Sequence, residues 1–404
     1  MILKIRNIYD WEQRKLNEIV ERVVRKNKNL ESKLPLTISA QNGLIDQNTF
    51  FNKQVASKDV SGYYLLYNGE FAYNKSYSNG YPFGAVKRLD KYEKGVLSTL
   101  YIAFCPTTIN TDFLVSYYDS SYWQKEVAKH AAEGARNHGL LNISPTDFFQ
   151  TEIIIPINNQ EQEQIGEFFK RLDDTIALHQ GKLDKLKNLR KAYLQVLFPA
   201  KAEKNPKIRF TNYTETWDQR KLNKLAEFAK GSGYSKSDLK SEGTPAIHYG
   251  RLYTNYETSI KEVDTFVEAK ENSIISKGNE VIVPASGETS EDISRASVVV
   301  KPGIILGGDL NIIKPSTLIK PAFLALTISN GDQQKELTRR AQGKSVVHIR
   351  NSDLKEVNLS YPKINEQSKI GSFFEHLDKT ISLHQQKLDK LSLLKKAYLK
   401  KMFI

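Results

Sequence analysis

One cysteine, Cys105, in 404 residues leaves nothing for an internal disulfide framework and predicts a reducing, cytoplasmic setting. The sequons at Asn142, Asn212 and Asn358 then carry no meaning, because a cytoplasmic chain does not meet the glycosylation machinery. No apolar run is long enough to span a bilayer, and the opening Met1 to Arg6 lacks the apolar stretch of a secretory leader. No two prolines are adjacent, which removes the Asp/Asn-Pro-Pro-aromatic loop that an amino-methyltransferase needs. Gly343-Lys344-Ser345 looks like the tail of a phosphate loop, but Thr338 stands where the first glycine belongs. No Cys/His spacing suggests zinc, and seven scattered histidines form no convincing nucleophile–base pair. These absences predict a chain with no catalytic residues and no metal or cofactor of its own, whose chemistry resides in partners.

What is present begins with charge. The formal net charge of +13 points to an anionic partner, although surplus lysine is also common on soluble surfaces. The charge is uneven: residues 22–150 carry about +4, residues 199–225 about +4, residues 359–404 about +5 and residues 226–358 about zero. Bulk basicity therefore does not mark the later globular region as a binder of nucleic acid.

The dominant feature is an internal repeat. Trp11-Glu12-Gln13-Arg14-Lys15-Leu16-Asn17 returns as Trp217-Asp218-Gln219-Arg220-Lys221-Leu222-Asn223. Lys182-Leu183-Asp184-Lys185-Leu186 returns at 387–391, and Lys191-Ala192-Tyr193-Leu194 at 396–399. The period is about 205 residues, and roughly two-thirds of positions agree between 165–198 and 370–403. Between these preserved ends, 22–150 and 226–358 show little likeness. A frame has been duplicated and its filling has diverged, as suits a scaffold that carries two different recognition modules.

Residues 159–198 hold no proline and only two glycines, and their apolar positions alternate in steps of four and three. Ile165, Phe169, Leu172, Ile176, His179, Leu183 and Leu186 form a heptad seam, and Ile370, Phe374, Leu377, Ile381, His384, Leu388 and Leu391 repeat it. The seam goes on less strictly through Leu189, Tyr193 and Leu197. Neither helix can bury such a stripe alone, so the simplest arrangement pairs them antiparallel about a pseudo-two-fold axis. His179 and His384, equivalent and central, are expected to meet near that axis.

Both fillings read as mixed and strand-rich. Gly62 to Tyr67, Leu100 to Phe104, Glu280 to Pro284, Ala296 to Val300 and Asn311 to Ile313 look like strands, while 322–328 and 333–341 look helical. The predicted organisation is α+β. Two mixed α/β target-recognition domains (1–158 and 217–362) are separated by a spacer helix at 159–198, with a linker at 199–216 and a second spacer helix at 363–404.

At this point the chain resembles the specificity subunits of type I restriction–modification systems. The Trp-Glu-Gln-Arg-Lys-Leu opening and its echo look like that family's repeat starts. So does the junction Leu197-Phe198-Pro199 followed by Pro206-Lys207-Ile208-Arg209-Phe210. Pro156 to Gln164 and Pro362 to Lys369 match the approach to the repeated helices. Gly231 to Lys236, Ile247 to Tyr253 and Gly307 to Asn311 look like signposts of the second domain, and Ile38 to Gly43 and Tyr73 to Ser76 match more loosely in the first. The resemblance implies a DNA-binding specificity subunit that reads a bipartite, asymmetric site in double-stranded DNA. It also implies docking of two methyltransferase (modification) subunits that methylate adenine N6, and of restriction (endonuclease/translocase) subunits. S-adenosylmethionine, ATP and Mg are then the partners' cofactors.

Base reading needs Arg, Lys, Asn, Gln, Ser or Thr at groove edges, and phosphate contacts need cations. In the first domain Asn74, Lys75, Tyr77, Tyr81, Lys87 and Arg88 are candidates, with Arg136, Asn137 and His138 between two glycines. In the second, Tyr234, Ser235, Lys236, His248, Tyr249, Arg251 and Tyr253 interleave basic and aromatic groups, followed by Ser286, Arg295, Arg339, Arg340, Lys344 and His348. Aromatics in such stretches are more often core than contact, and lysines more often solvated. The competing reading is a non-enzymatic coiled-coil bridging protein whose two end domains bind other proteins.

Overall fold

The computed structural model describes residues 11–76, 80–131, 141, 143–200, 203–343 and 346–403. The chain divides into two compact units, Met1–Gln180 together with Gln386–Ile404, and Gly181–Gln385. Each unit therefore contains the beginning of one long helix and the end of the other.

The long helices span Asn159–Val196 and Ile364–Met402. At 1.5 Å per residue each is about 57 Å long. In the first unit the start of the first helix packs on the end of the second, with Phe168 against Tyr398 at 5.1 Å. In the second unit the roles are exchanged, with Tyr193 against Phe373 at 4.9 Å. Contacts of start with end make the helices antiparallel within each unit. Ile165, Phe169, Leu172, Leu183, Ile370, Phe374, Leu377 and Leu388 are buried. Ile176, His179, Leu186, Ile381, His384 and Leu391 are half-buried. One seam assignment changes. Leu189 is 44% exposed, and the strict four–three count instead runs through Arg190 and Lys395, both half-buried.

Each recognition module hangs from its helix by the same frame. Strand Trp11–Lys15 pairs antiparallel with Glu152–Pro156, and Asp218–Lys221 with Asn358–Tyr361. The repeated Trp-Glu/Asp-Gln-Arg-Lys opening is thus one half of a clasp that brings the two ends of the filling together just before the long helix. A buried glutamine ties the clasp to the module. Gln162 Nε2 donates to Pro156 O at 2.9 Å while its Oε1 accepts the Asn110 N–H at 3.0 Å. Gln367 repeats this with Pro362 O at 2.8 Å and the Lys320 N–H at 2.8 Å. Below the clasp lies an aromatic plug. Phe403 touches Trp11, Phe113 and Phe169, and Phe198 touches Trp217, Phe323 and Phe374 in the same pattern. The repeated Phe after each helix is preserved because it closes the core under the other copy's module.

The fillings are less unlike than their sequences. The first module's central sheet runs Val20–Arg22, Ile102–Pro106, Phe71–Asn74, Ala85–Arg88. The second runs Ala226–Lys230, Leu310–Pro315, Glu280–Pro284, Ser297–Val299, with Ser259–Ile260 added at the far edge. Both sheets are followed by the same helix order, Thr111–Asp119, Tyr122–His130 and Pro145–Phe149 against Pro321–Ile328, Gly331–Arg340 and Asn351–Lys355. Apolar identity drifts freely in such a core so long as burial and strand period are kept. What differs is the periphery. The first module adds the pairs Leu36–Ser39 with Gly43–Asp46 and Tyr64–Tyr67 with Lys94–Leu97. The second adds a small sheet of Leu239–Lys240, Phe266–Val267, Thr244–Ile247 and Ile305–Leu306.

Candidate nucleic-acid interface

In the second module the signpost glycines build a rigid floor. Gly231 N–H donates to Leu310 O at 2.9 Å, Ser232 N–H to Leu306 O at 3.1 Å and Gly307 N–H to Ile247 O at 2.9 Å. A Cβ on Gly231 would lie 1.9 Å from Gly307 O, so only glycine permits this backbone approach. The turn at Gly307-Gly308 carries Asp309 in the left-handed region at φ 57°. Around this floor opens a cleft of about 970 Å³. Its lining includes Tyr234, Ser235, His248, Tyr249, Arg251, Tyr253 and Ser286, seven of the candidates chosen from sequence, together with Asp309.

Their roles differ once their partners are known. Tyr234 is buried, its hydroxyl held by Ser273 and by the Lys270 N–H, with the Lys270 ammonium 4.6 Å over its ring. Tyr253 donates its hydroxyl to Ser286 O, and burial raises its phenol above the ordinary range. Tyr249 stacks edge-on against it at 5.9 Å and stays 38% exposed. Ser235 turns back onto Asp238, its N–H 2.7 Å from Oδ2. His248 has a buried Nε2 without a hydrogen-bond partner among the described residues, and burial pulls the ring below the usual imidazole range. Ser286 Oγ donates to Asp309 Oδ2 at 3.2 Å.

Arg251 is already paired within the chain. Its side chain is 11% exposed and is claimed by Asp264 at 2.6 Å and Glu257 at 2.8 Å. It is a strut of the cleft wall and not an open cation. Among the described residues the lining holds one arginine, Arg251, and the carboxylates of Asp264, Glu288, Asp292 and Asp309. Of the remaining candidates, Arg295 is paired with Asp292 at 3.1 Å and Arg340 with Glu336 at 2.8 Å. Arg339 and His348 are exposed, and His348 is paired in register with Ser286 beside the cleft. Lys344 and the side chain of Lys236 lie outside the described residues.

The first module brings its candidates together less. Asn74 Oδ1 accepts the Ser76 N–H at 3.0 Å, and Lys75 Nζ donates to Ile143 O at 3.1 Å. Tyr81 is half-buried, its carbonyl bonded to the Gly84 N–H at 3.1 Å. Lys87 and Arg88 are likewise ion-paired inside the unit. Lys87 lies 2.7 Å from Asp119, and Arg88 reaches Asp90 at 2.6 Å and Asp112 at 2.8 Å. Tyr77, Arg136, Asn137 and His138 lie outside the described residues. Sequence reasoning passed over the acids, Asp309 above all, because the search for phosphate ligands looked for cations. It also passed over the seam cations Arg190 and Lys395, which a strict heptad count would have found.

Among the described residues no group of His, Cys, Asp and Glu could hold a metal ion, and no helix is long and apolar enough to cross a membrane.

The description of the type I restriction modification DNA specificity domain matches the chain twice, over residues 9–188 and 214–393. The fold is similar to that of a type I restriction–modification S subunit from M. genitalium, with a TM-score of 0.64 and 16% identity over 100% of this chain and 98% of that one. A second similar chain comes from a type I R-M system studied for complex assembly and conformational transition, with a TM-score of 0.51 and 15% identity over 97% of both chains. At such identities the likeness is one of fold. No curated protein matches the chain in sequence.

Proposed function

The chain belongs to the type I restriction–modification DNA specificity family, and from that premise we propose that its two modules each read one half of a bipartite, asymmetric site in double-stranded DNA. Methyltransferase subunits docked on the paired helices would then methylate adenine N6 with S-adenosylmethionine. Restriction subunits would supply the ATP- and Mg-dependent nuclease, in the cytoplasm. The observation that carries this reading is the pairing of a common frame with unlike peripheries. Clasp, glutamine tie and aromatic plug recur in both units, while the added hairpins of the first and the small sheet of the second do not match. A common frame gives both readers the same mounting, and unlike peripheries make the two half-sites different.

The carboxylates in the cleft lining favour a division of labour within the second module. Carboxylates repel phosphate but accept hydrogen bonds from the amino groups that cytosine and adenine show in the major groove. The cleft would read base edges, and phosphate contacts would fall to exposed cations outside it, such as Arg339. The test is methylation mapping of DNA from cells that express this chain with its methyltransferase subunits. One split motif with unlike halves is the expected result. Methylation without a motif, or no DNA affinity in the assembled complex, overturns the proposal and leaves the bridging reading.

A further inference from the structure

Both paired-helix seams contain a charged group where a heptad would place leucine, and in each unit that group reaches the edge of the central sheet. In the first unit Lys395 Nζ lies 2.7 Å from Asp173 on the facing helix and 2.7 Å from Asp119 at the end of helix Thr111–Asp119. Asp119 in turn holds Lys87 of the edge strand Ala85–Arg88 at 2.7 Å. Burial alone would raise the Asp119 carboxyl, but Lys87 and Lys395 together hold it below the ordinary carboxylate range. In the second unit Arg190, the repeat equivalent of Lys395, forks onto Asp378, the equivalent of Asp173, at 2.5 and 3.1 Å. Arg190 also donates to Thr258 Oγ1 at 2.9 Å, and Thr258 bonds Asp378 at 3.0 Å. Thr258 directly precedes the edge strand Ser259–Ile260. The seam pair is common to both units, while the link from it to the module uses different residues on different elements.

Physical chemistry says what such a device does and does not do. Replacing a half-buried ion pair by apolar side chains of similar size is often neutral or stabilising, so stability does not account for it. Apolar packing at the seam is non-directional and lets a module rock at small cost, whereas a forked charge pair has one preferred geometry. A polar group at a seam position is known to specify register at the expense of stability. We infer that Lys395 with Asp173 and Asp119, and Arg190 with Asp378 and Thr258, are positioning residues that fix the attitude of each reading module on its own stretch of paired helix, and thereby the length of the gap between half-sites that the protein accepts. The inference rests on the bipartite reading above.

The test uses the full chain assembled with its methyltransferase subunits. K395M and R190M are compared with the conservative K395R and R190K on duplexes whose gap is native, one base pair longer or one shorter. The Met variants are expected to keep their half-site bases at a lower melting temperature, because each leaves a seam carboxylate without its cation. Their methylation at the altered gaps should rise relative to the native gap by about ten-fold, the scale of one lost coupling between contacting residues. The conservative variants should restore the narrow preference. An unchanged gap preference, or a loss equal at all gap lengths, overturns the inference. If the Met variants do not assemble, D119N and T258V keep the seam pair and cut only the link to the module. They must broaden the gap in the same way, and a native gap preference in them overturns the inference. A wild-type complex without any split motif would instead sink the bipartite reading itself.

Discussion

Asp309 and Arg251 face the same cleft and are expected to behave in opposite ways. Asp309 holds a left-handed turn that asparagine also tolerates, its carbonyl accepts the Ala285 N–H, and its carboxylate accepts from Ser286. Asp309→Asn should therefore leave the melting temperature unchanged while altering the second half of the methylated motif. Arg251→Ala removes a side chain buried in the cleft wall and its pairs with the exposed Asp264 and Glu257, and should lower stability by about 1 kcal/mol. A melt combined with motif mapping separates the two, and a stable R251A protein with a changed motif would return Arg251 to the contacts. His248 adds a pH dependence. Burial depresses its ring in the folded chain, so the unfolded chain binds the proton more readily. Its contribution is whole above the ordinary imidazole value of about 6.5 and is lost as pH falls through the depressed folded value. Melts below neutrality should show a pH-dependent loss that His248→Gln flattens.

The two glycines of the first long helix show how an element's surroundings decide a substitution's sign. Gly181 has nothing within 4 Å of a Cβ, so Gly181→Ala should stabilise by up to about 1 kcal/mol through helix propensity. Gly166 is buried, and a Cβ there would meet Phe113 N at 2.6 Å, so Gly166→Ala should destabilise despite the same propensity gain. Thermal denaturation of the pair checks this, and a shift of both in one direction would contradict the close approach of helix Thr111–Asp119. The helices were readable from the seam because a four–three period needs no tertiary information. The clasp strands were less readable, since Asp218–Lys221 is exposed throughout and shows no apolar alternation. Its strand state is set by its pairing with Asn358–Tyr361, remote in sequence.

For the whole molecule, the consequence of the fold is that the first unit is not continuous in the chain, while the second is a single segment inserted within it. The first unit is completed by residues 386–404, whose Leu399 and Phe403 are buried among Trp11, Phe113 and Phe169. Phe403→Ala should cost about 3–5 kcal/mol, the range for truncating a buried aromatic ring. The loss should appear as a lowered first-unit transition, reported by fluorescence of Trp11 and Trp123. Phe198→Ala should act in the same way on the second unit, reported by Trp217. A Phe403→Ala chain that melts like the parent would show that the plug is not needed.

The sequence alone determined the duplication, the long paired helices, the family and the absence of catalytic motifs. These depend on period, composition and local spacing, which a linear string records. It also picked out the residues that gather around the second cleft, because glycines needed for close backbone approach mark that floor. Tertiary structure alone decided which of the chosen cations are open. Lys87, Arg88 and Arg251 look like phosphate ligands until Asp119, Asp112 and Asp264 are found beside them. The sign of a site's charge is a sum over neighbours brought from distant parts of the chain. For that reason a basic chain can line a cleft with carboxylates, and two modules of unlike sequence can share one sheet order.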